Sequence, residues 1–244
     1  MSEEKSALQI TFPSAKDLFA TGAQFGHQTK RWNPKMEKFI YTIKNGIHII
    51  DVTKTEILLK ESAEFVADAA SRGVVLIVGT KKQSSDIVKK YAIESGSYFV
   101  DMRWAGGLLT NFSEVKKSLI RLKNLENDFE NGVEGRTKYE VSLMKKEWSK
   151  LNRLYSGIKE MNDKPTAIVV VDTNFEKSAV REAKLMRIPV VGIVDSNSDP
   201  DSVNYAIPAN DDAISSIEII LKTLAEAIKQ GNKGNGIKHA LKDY

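Results

Sequence analysis

Short apolar runs alternate with amphipathic stretches along most of the chain. Val74-Val75-Leu76-Ile77-Val78, Tyr98-Phe99-Val100, Ala167 to Val171, Val190 to Val194 and Tyr205-Ala206-Ile207 form the apolar runs. Unbroken runs of this kind suit strands covered on both faces. Helical patterns fall between them, over about Gln83 to Glu94 and Glu176 to Met186. A closing helix follows from Ala213 to Ile228, capped near Asn210 to Asp212. Strands alternating with helices predict a three-layer α/β/α fold with a mostly parallel, five-stranded sheet. Upstream, Ser14 to Ala20 reads as a short helix, with Ser14 and Asp17 at capping-box spacing. Gly22 to Lys35 is a glycine-rich and polar stretch. Phe39 to Ile43 and Ile47 to Ile50 flank Lys44-Asn45-Gly46, the signature of a tight hairpin. Thr53 with Glu56 opens a helix that reaches about Ser71.

The stretch from Phe112 to Met161 breaks this rhythm. Val115, Leu119, Leu122 and Phe129 give one helical stripe. Met144, Trp148, Leu151, Tyr155 and Ile158 give another, at coiled-coil spacing. Asn131-Gly132-Val133-Glu134-Gly135 separates them. The pattern predicts an antiparallel coiled-coil hairpin inserted at 112–161, or two helices laid on the main core. The α/β domain is then discontinuous, 1–111 and 162–230, and 231–244 is expected to be a mobile tail.

With 244 residues, 41% of them hydrophobic and 28% charged, the chain is a globular domain rather than a disordered one. A net charge of +4 is too small to argue nucleic-acid binding by itself, so the placement of the charges matters more than their sum. No cysteine is present, which excludes disulfides and thiolate metal sites. Glu3, Glu4 and Lys5 are not followed by the apolar segment of a signal peptide, and no run is long enough to span a bilayer. A cytoplasmic location is expected.

The motifs of catalysis are missing. His27, His48 and His239 are far apart and form no metal-binding pair, and His48 alternates with apolar neighbours as a structural strand residue does. There is no nucleophile elbow and no glycine-rich nucleotide fingerprint. Gly79-Thr80-Lys81-Lys82-Gln83, between a strand and a helix, is a candidate anion site, with Lys81 and Lys82 as its cations. The alternative there is a plain turn with solvated lysines. Asp172 and Asp195 each follow a strand. They either bind a metal at the sheet's carboxyl edge or cap turns, and capping is the reading preferred here.

The stretch from Gly26 to Lys35 carries more. Lys30, Arg31 and Lys35 suit phosphates, and Trp32 suits stacking or anchoring. A second pair, Arg103-Trp104, precedes Gly106-Gly107. Lys116, Lys117 and Arg121 follow on the first hairpin arm. Together the two Arg-Trp stretches suggest an RNA-facing surface, whereas the hairpin cations, mixed with acidic residues, suit an ordinary solvated coiled-coil face nearly as well.

At this point the motifs resemble a known family. Gly22 to Met36, Asn45 to Asp51, Val78 to Gln83 and Arg103 to Phe112 resemble segments of the bacterial small-subunit ribosomal protein S2 family. So do Val171 to Phe175, Ile188 to Val191, Asp199 to Asp201 and Ile207 to Ala213, all in family order from about residue 18 to residue 220. The chain departs from the family's usual residues at Met102, Ala105 and Ser198. The resemblance implies a flavodoxin-like or Rossmann-like domain with an inserted coiled-coil hairpin, and a structural protein of the small ribosomal subunit that supports translation. It also implies a place between head and body on the solvent side, contact with 16S ribosomal RNA, and help in docking the mRNA-binding ribosomal protein S1. It implies no catalysis and no cofactor. Neither a membrane contact nor a homo-oligomer is expected. The competing expectation is a metal- or nucleotide-dependent enzyme on a doubly wound fold.

Overall fold

A computed structural model of the chain describes residues 10–133 and 135–232. Apart from Gly231 and Asn232, the expected tail lies outside the described residues.

Five strands form one sheet: β4 (Val75–Val78), β5 (Tyr98–Val100), β6 (Ala167–Val171), β7 (Val190–Val194) and β8 (Tyr205–Pro208). They lie side by side in the order β5-β4-β6-β7-β8. Every pairing within this sheet is parallel. Counted from its own first strand, the order is 2-1-3-4-5, that of flavodoxin-like doubly wound folds. The strands are apolar throughout because both faces are covered.

Alternate residues feed two cores. Val75, Ile77, Val169, Val171, Val191 and Ile193 face one side, against α2 (Val52–Arg72), α3 (Ser85–Ser95) and α7 (Ile214–Gly231). Leu76, Val78, Ile168, Val170 and Val190 face the other, against α6 (Lys177–Leu185) and the start of α4 (Phe112–Glu130).

A second, three-stranded sheet stands beside the first, in the order β1-β3-β2 and antiparallel: β1 (Phe25–Gln28), β2 (Ile40–Lys44) and β3 (Ile47–Ile50). The β2–β3 turn is the predicted one, with Asn45 at φ 51° and Gly46 at φ 74°. Strand β1 was not anticipated, because its polar sequence shows no alternation and it forms only where β3 offers an edge. The short helix α1 (Ala15–Ala20) carries the expected capping box.

Helix α2 begins differently from the sequence reading. Asp51, not Thr53, is the N-cap, accepting from Thr53 N at 3.1 Å and Thr53 Oγ1 at 2.6 Å. Glu56 leaves the helix start and binds Ala15 N at 2.9 Å, tying α1 to α2.

Helices α4 and α5 (Lys138–Tyr155) pair through an Arg121–Glu147 ion pair and an edge-to-face contact of Phe129 with Trp148. Phe112, Val115 and Leu119 of α4 belong to the second core, whereas Leu122 and Leu125 are buried outside it. In α5 only Met144 is buried, and Ile158 falls in a 3-10 turn after the helix.

Candidate nucleic-acid interface

The stretch from Gly26 to Lys35 is held from both ends. His27 N donates to Ser196 Oγ at 2.7 Å and Asn33 N to Ser196 O at 2.8 Å. Thr29 N reaches Gly46 O at 3.0 Å. Gly26 is required for the first of these contacts, since a Cβ there would stand 2.7 Å from Ser196 Oγ. Asn33 then accepts from Lys35 N at 3.0 Å, and Pro34 starts a short 3-10 helix.

Trp32 stacks on His48, with ring centroids 4.9 Å apart and an interplanar angle of 24°, while keeping 37% of its surface exposed. It therefore anchors the loop and still offers an edge to solvent. Lys30 and Arg31 are exposed on this braced segment, and neither is in an ion pair among the described residues. Lys35 differs, with its ammonium on Asp199 at 2.8 Å and Asp201 at 3.3 Å.

The loop 103–111 is organised by one carboxylate from across the fold. Glu182, on α6, accepts from Trp104 Nε1 at 3.0 Å, Gly107 N at 2.8 Å, Leu109 N at 3.0 Å, and Thr110 N and Oγ1 at 3.2 Å each. Burial by itself would raise the Glu182 pKa. The donors from Trp104 and the loop backbone outweigh it and hold the carboxyl below its ordinary value. Trp104 is thus a buried anchor rather than a stacking surface, and Arg103 beside it is exposed.

At the carboxyl edge of the large sheet, charges face inward. Lys81 Nζ lies 2.9 Å from Asp172, 3.3 Å from Asp211 and 2.6 Å from Asp212. Burial disfavours its charge, but the contacts with Asp212 and Asp172 prevail and raise its pKa. Thr80 N, a backbone donor at the expected anion site, is taken by Glu176 Oε1 at 2.7 Å. Burial raises the pKa of that glutamate. Asp172 Oδ1 accepts from Asn174 N and Phe175 N, the turn-closing role weighed from sequence, on a backbone at φ 62°.

His27 Nδ1 lies 3.0 Å from Asp195, and this hydrogen bond raises the histidine's pKa. Asp211 is fully buried with an unpartnered Oδ2. Burial, with Asp195 and Asp172 nearby, pushes its pKa up to about 8. His27, Asp195 and Asp211 offer ligand atoms within 4.8 Å of one another, a donor set that suits a divalent cation. At the β4/β6 switch point, where doubly wound enzymes hold nucleotides, this chain has an internal ion-pair network instead.

Residues 18–231 match the family described as Ribosomal protein S2. The chain belongs to the ribosomal protein S2 family. The Small ribosomal subunit protein uS2 of Corynebacterium diphtheriae is 48% identical over 221 residues, covering 89% of this chain and 83% of that protein. Members of this family are structural proteins, and this chain is not an enzyme. No described helix is long and apolar enough to cross a membrane.

The cations singled out from the S2-like sequence fall into three groups. Lys30, Arg31, Lys82 and Arg103 are exposed and in no ion pair among the described residues, and Lys116 stands over the Phe112 ring at 5.2 Å. Lys35, Lys117 and Arg121 bind Asp199, Glu114 and Glu147 on the surface. Such exposed pairs are worth about 0–1 kcal/mol and exchange easily for phosphate. Lys81 differs, because two of its three carboxylates, Asp172 and Asp211, are buried. That geometry gives it an internal role in place of the phosphate contact expected from sequence. Glu182 was missed altogether, since nothing in its helix distinguishes it from a solvated glutamate.

Proposed function

We propose that this S2-family chain acts by gripping folded 16S ribosomal RNA within the small subunit, through phosphate contacts of Lys30 and Arg31. The observation that carries this reading is their setting. Two cations without carboxylate partners among the described residues stand on a loop braced by Ser196, Gly46 and the Trp32–His48 stack. A rigid loop loses little conformational freedom when it meets RNA. Arg103 and Lys116, at the foot of α4, extend the cationic surface, and Lys35, Lys117, Arg121 and Lys82 add to it. A place between head and body on the solvent side, and a part in docking ribosomal protein S1, belong to the same proposal and rest on the family likeness.

Phosphate contacts release counterions, so affinity falls with salt by a slope of roughly 0.7–0.9 per contact. The double substitution Lys30→Ala with Arg31→Ala is expected to flatten the salt dependence of binding to 16S RNA by about 1.5. It is also expected to slow incorporation into the subunit. An unchanged slope together with unchanged incorporation removes this loop from the RNA face.

A further inference from the structure

Helix α6 buries Ala179, Val180 and Ala183 and turns Lys177, Arg181 and Lys184 outward, at spacings that place them on one face. These three cations line a cavity of about 460 Å³ together with Asn33, Asn174 and Asn197. That volume is in the range that takes a nucleotide-sized group.

The wall offers cationic and amide donors, and the charge of Lys184 also acts on Asp199 across it. Among the described residues, none of the three cations is in an ion pair. Asn33 and Asn197 accept at Oδ1 from Lys35 N and Ser198 Oγ, and their amide NH₂ groups have no partner among the described residues. Asp199, an acidic residue in the wall, is occupied by Lys35 at 2.8 Å. Thr173 also borders the cavity, and its buried Oγ1 has no hydrogen-bond partner. Its methyl group fills the space left by Gly192, where a Cβ would come within 2.5 Å. Outside the wall, Phe175, next in the chain to Asn174, leaves 60% of its surface in solvent. Cations, amide donors and an exposed ring are the groups that receive phosphate, ribose and an unpaired base.

We propose that this cavity, walled by Lys177, Arg181 and Lys184 with Asn33, Asn174 and Asn197, is a phosphate-binding site for the backbone of an unpaired ribosomal RNA strand. It shares Asn33 with the Lys30–Lys35 loop, so the two form one continuous RNA surface. The inference rests on the RNA-binding reading above and adds a second set of phosphate contacts to it. The chemistry recognised is a phosphate ester, which RNA or a free nucleotide could supply. RNA is favoured because the cations line an open groove beside the loop proposed above to meet RNA.

The test uses the full chain with deproteinised 16S RNA in filter binding across a salt series, and AMP and inorganic phosphate as separate NMR probes. The triple substitution Lys177→Gln, Arg181→Gln, Lys184→Gln replaces exposed residues, and a thermal melt checks that it folds. At about 0.7 counterion per contact, the slope should flatten by roughly two and affinity at 0.1 M salt should fall about 100-fold. In the parent chain, phosphate and AMP should bind weakly and move the amide signals of Thr173, Asn174 and Asn197. If the triple variant keeps the parent slope while Lys30→Ala with Arg31→Ala flattens it, the cavity is not an RNA site and the loop reading stands. If neither variant changes the slope, both fall. If AMP binds more tightly than RNA of equal phosphate concentration, the site belongs to a free nucleotide and the RNA assignment is overturned.

Discussion

Replacing Glu182 with alanine takes one acceptor away from five donors at once. Two of the donors sit on buried residues, the Trp104 indole and the Leu109 backbone N–H. Gly107 and Thr110 are nearer solvent and can turn to water. A buried donor left without a partner costs about 1–3 kcal/mol, so the loss from these two is about 3 kcal/mol. For a domain of this size that lowers the melting temperature by about 9 °C, at roughly 2–4 °C per kcal/mol. Urea denaturation followed by circular dichroism and tryptophan fluorescence measures it. Glu182→Gln should lose part of the same stability, since its NH₂ group faces donors where the carboxylate faced acceptor-seeking N–H groups.

The pH dependence adds a second check. Because the folded-state pKa of Glu182 is depressed, its contribution is present above the unfolded value near 4.5 and is lost as pH falls through the folded value. The gap between parent and Glu182→Gln should therefore narrow in acid. A Glu182→Ala cost below about 1 kcal/mol, or a gap that does not close at low pH, would refute the claim that this carboxylate holds the loop.

Three further expectations follow from the same geometry. Lys81→Met leaves Asp172 and Asp211 without their cation and should cost about 3 kcal/mol in urea denaturation while leaving the RNA salt slope as it was; the reverse pattern would make Lys81 a phosphate ligand. Gly231→Ala drives a Cβ to within clashing distance of the Ala67 carbonyl and should destabilise by about 2–3 kcal/mol, whereas Gly46→Ala meets nothing within 4 Å and should cost only about 1 kcal/mol for its positive φ, both read from thermal melts. Histidine NMR titration should place His27 above 6.5, because Asp195 stabilises its cation, and His48 below it, because burial disfavours the charge. The His27 contribution to stability is then present below pH 6.5 and lost as pH rises through its folded value.

Most of the elements were legible because each needs only its own periodicity. Apolar runs such as Ala167 to Val171 can be satisfied only by burial on both faces, and Asn45-Gly46 supplies the two positive φ angles of the turn. The motifs also led to the right family before any contact was known. The edges of elements were harder to read, because Asp51 and Thr53 compete for one cap and β1 exists only against β3.

What the sequence determined by itself was the alternation of strands and helices, the family, and which cations were available. The strand order then chose the partners. By setting β4 beside β6 it brought Lys81 against Asp172, ninety-one positions away, and turned a candidate anion site into an internal ion pair. By packing α6 under the loop after β5 it gave Glu182 its five donors, and by setting Asn33 near the outer face of α6 it closed a cationic cavity. Hydrophobic periodicity is a local consequence of burial, so one strand reveals it. The pairing of charges across loops depends on long-range chain closure, and no single segment contains it.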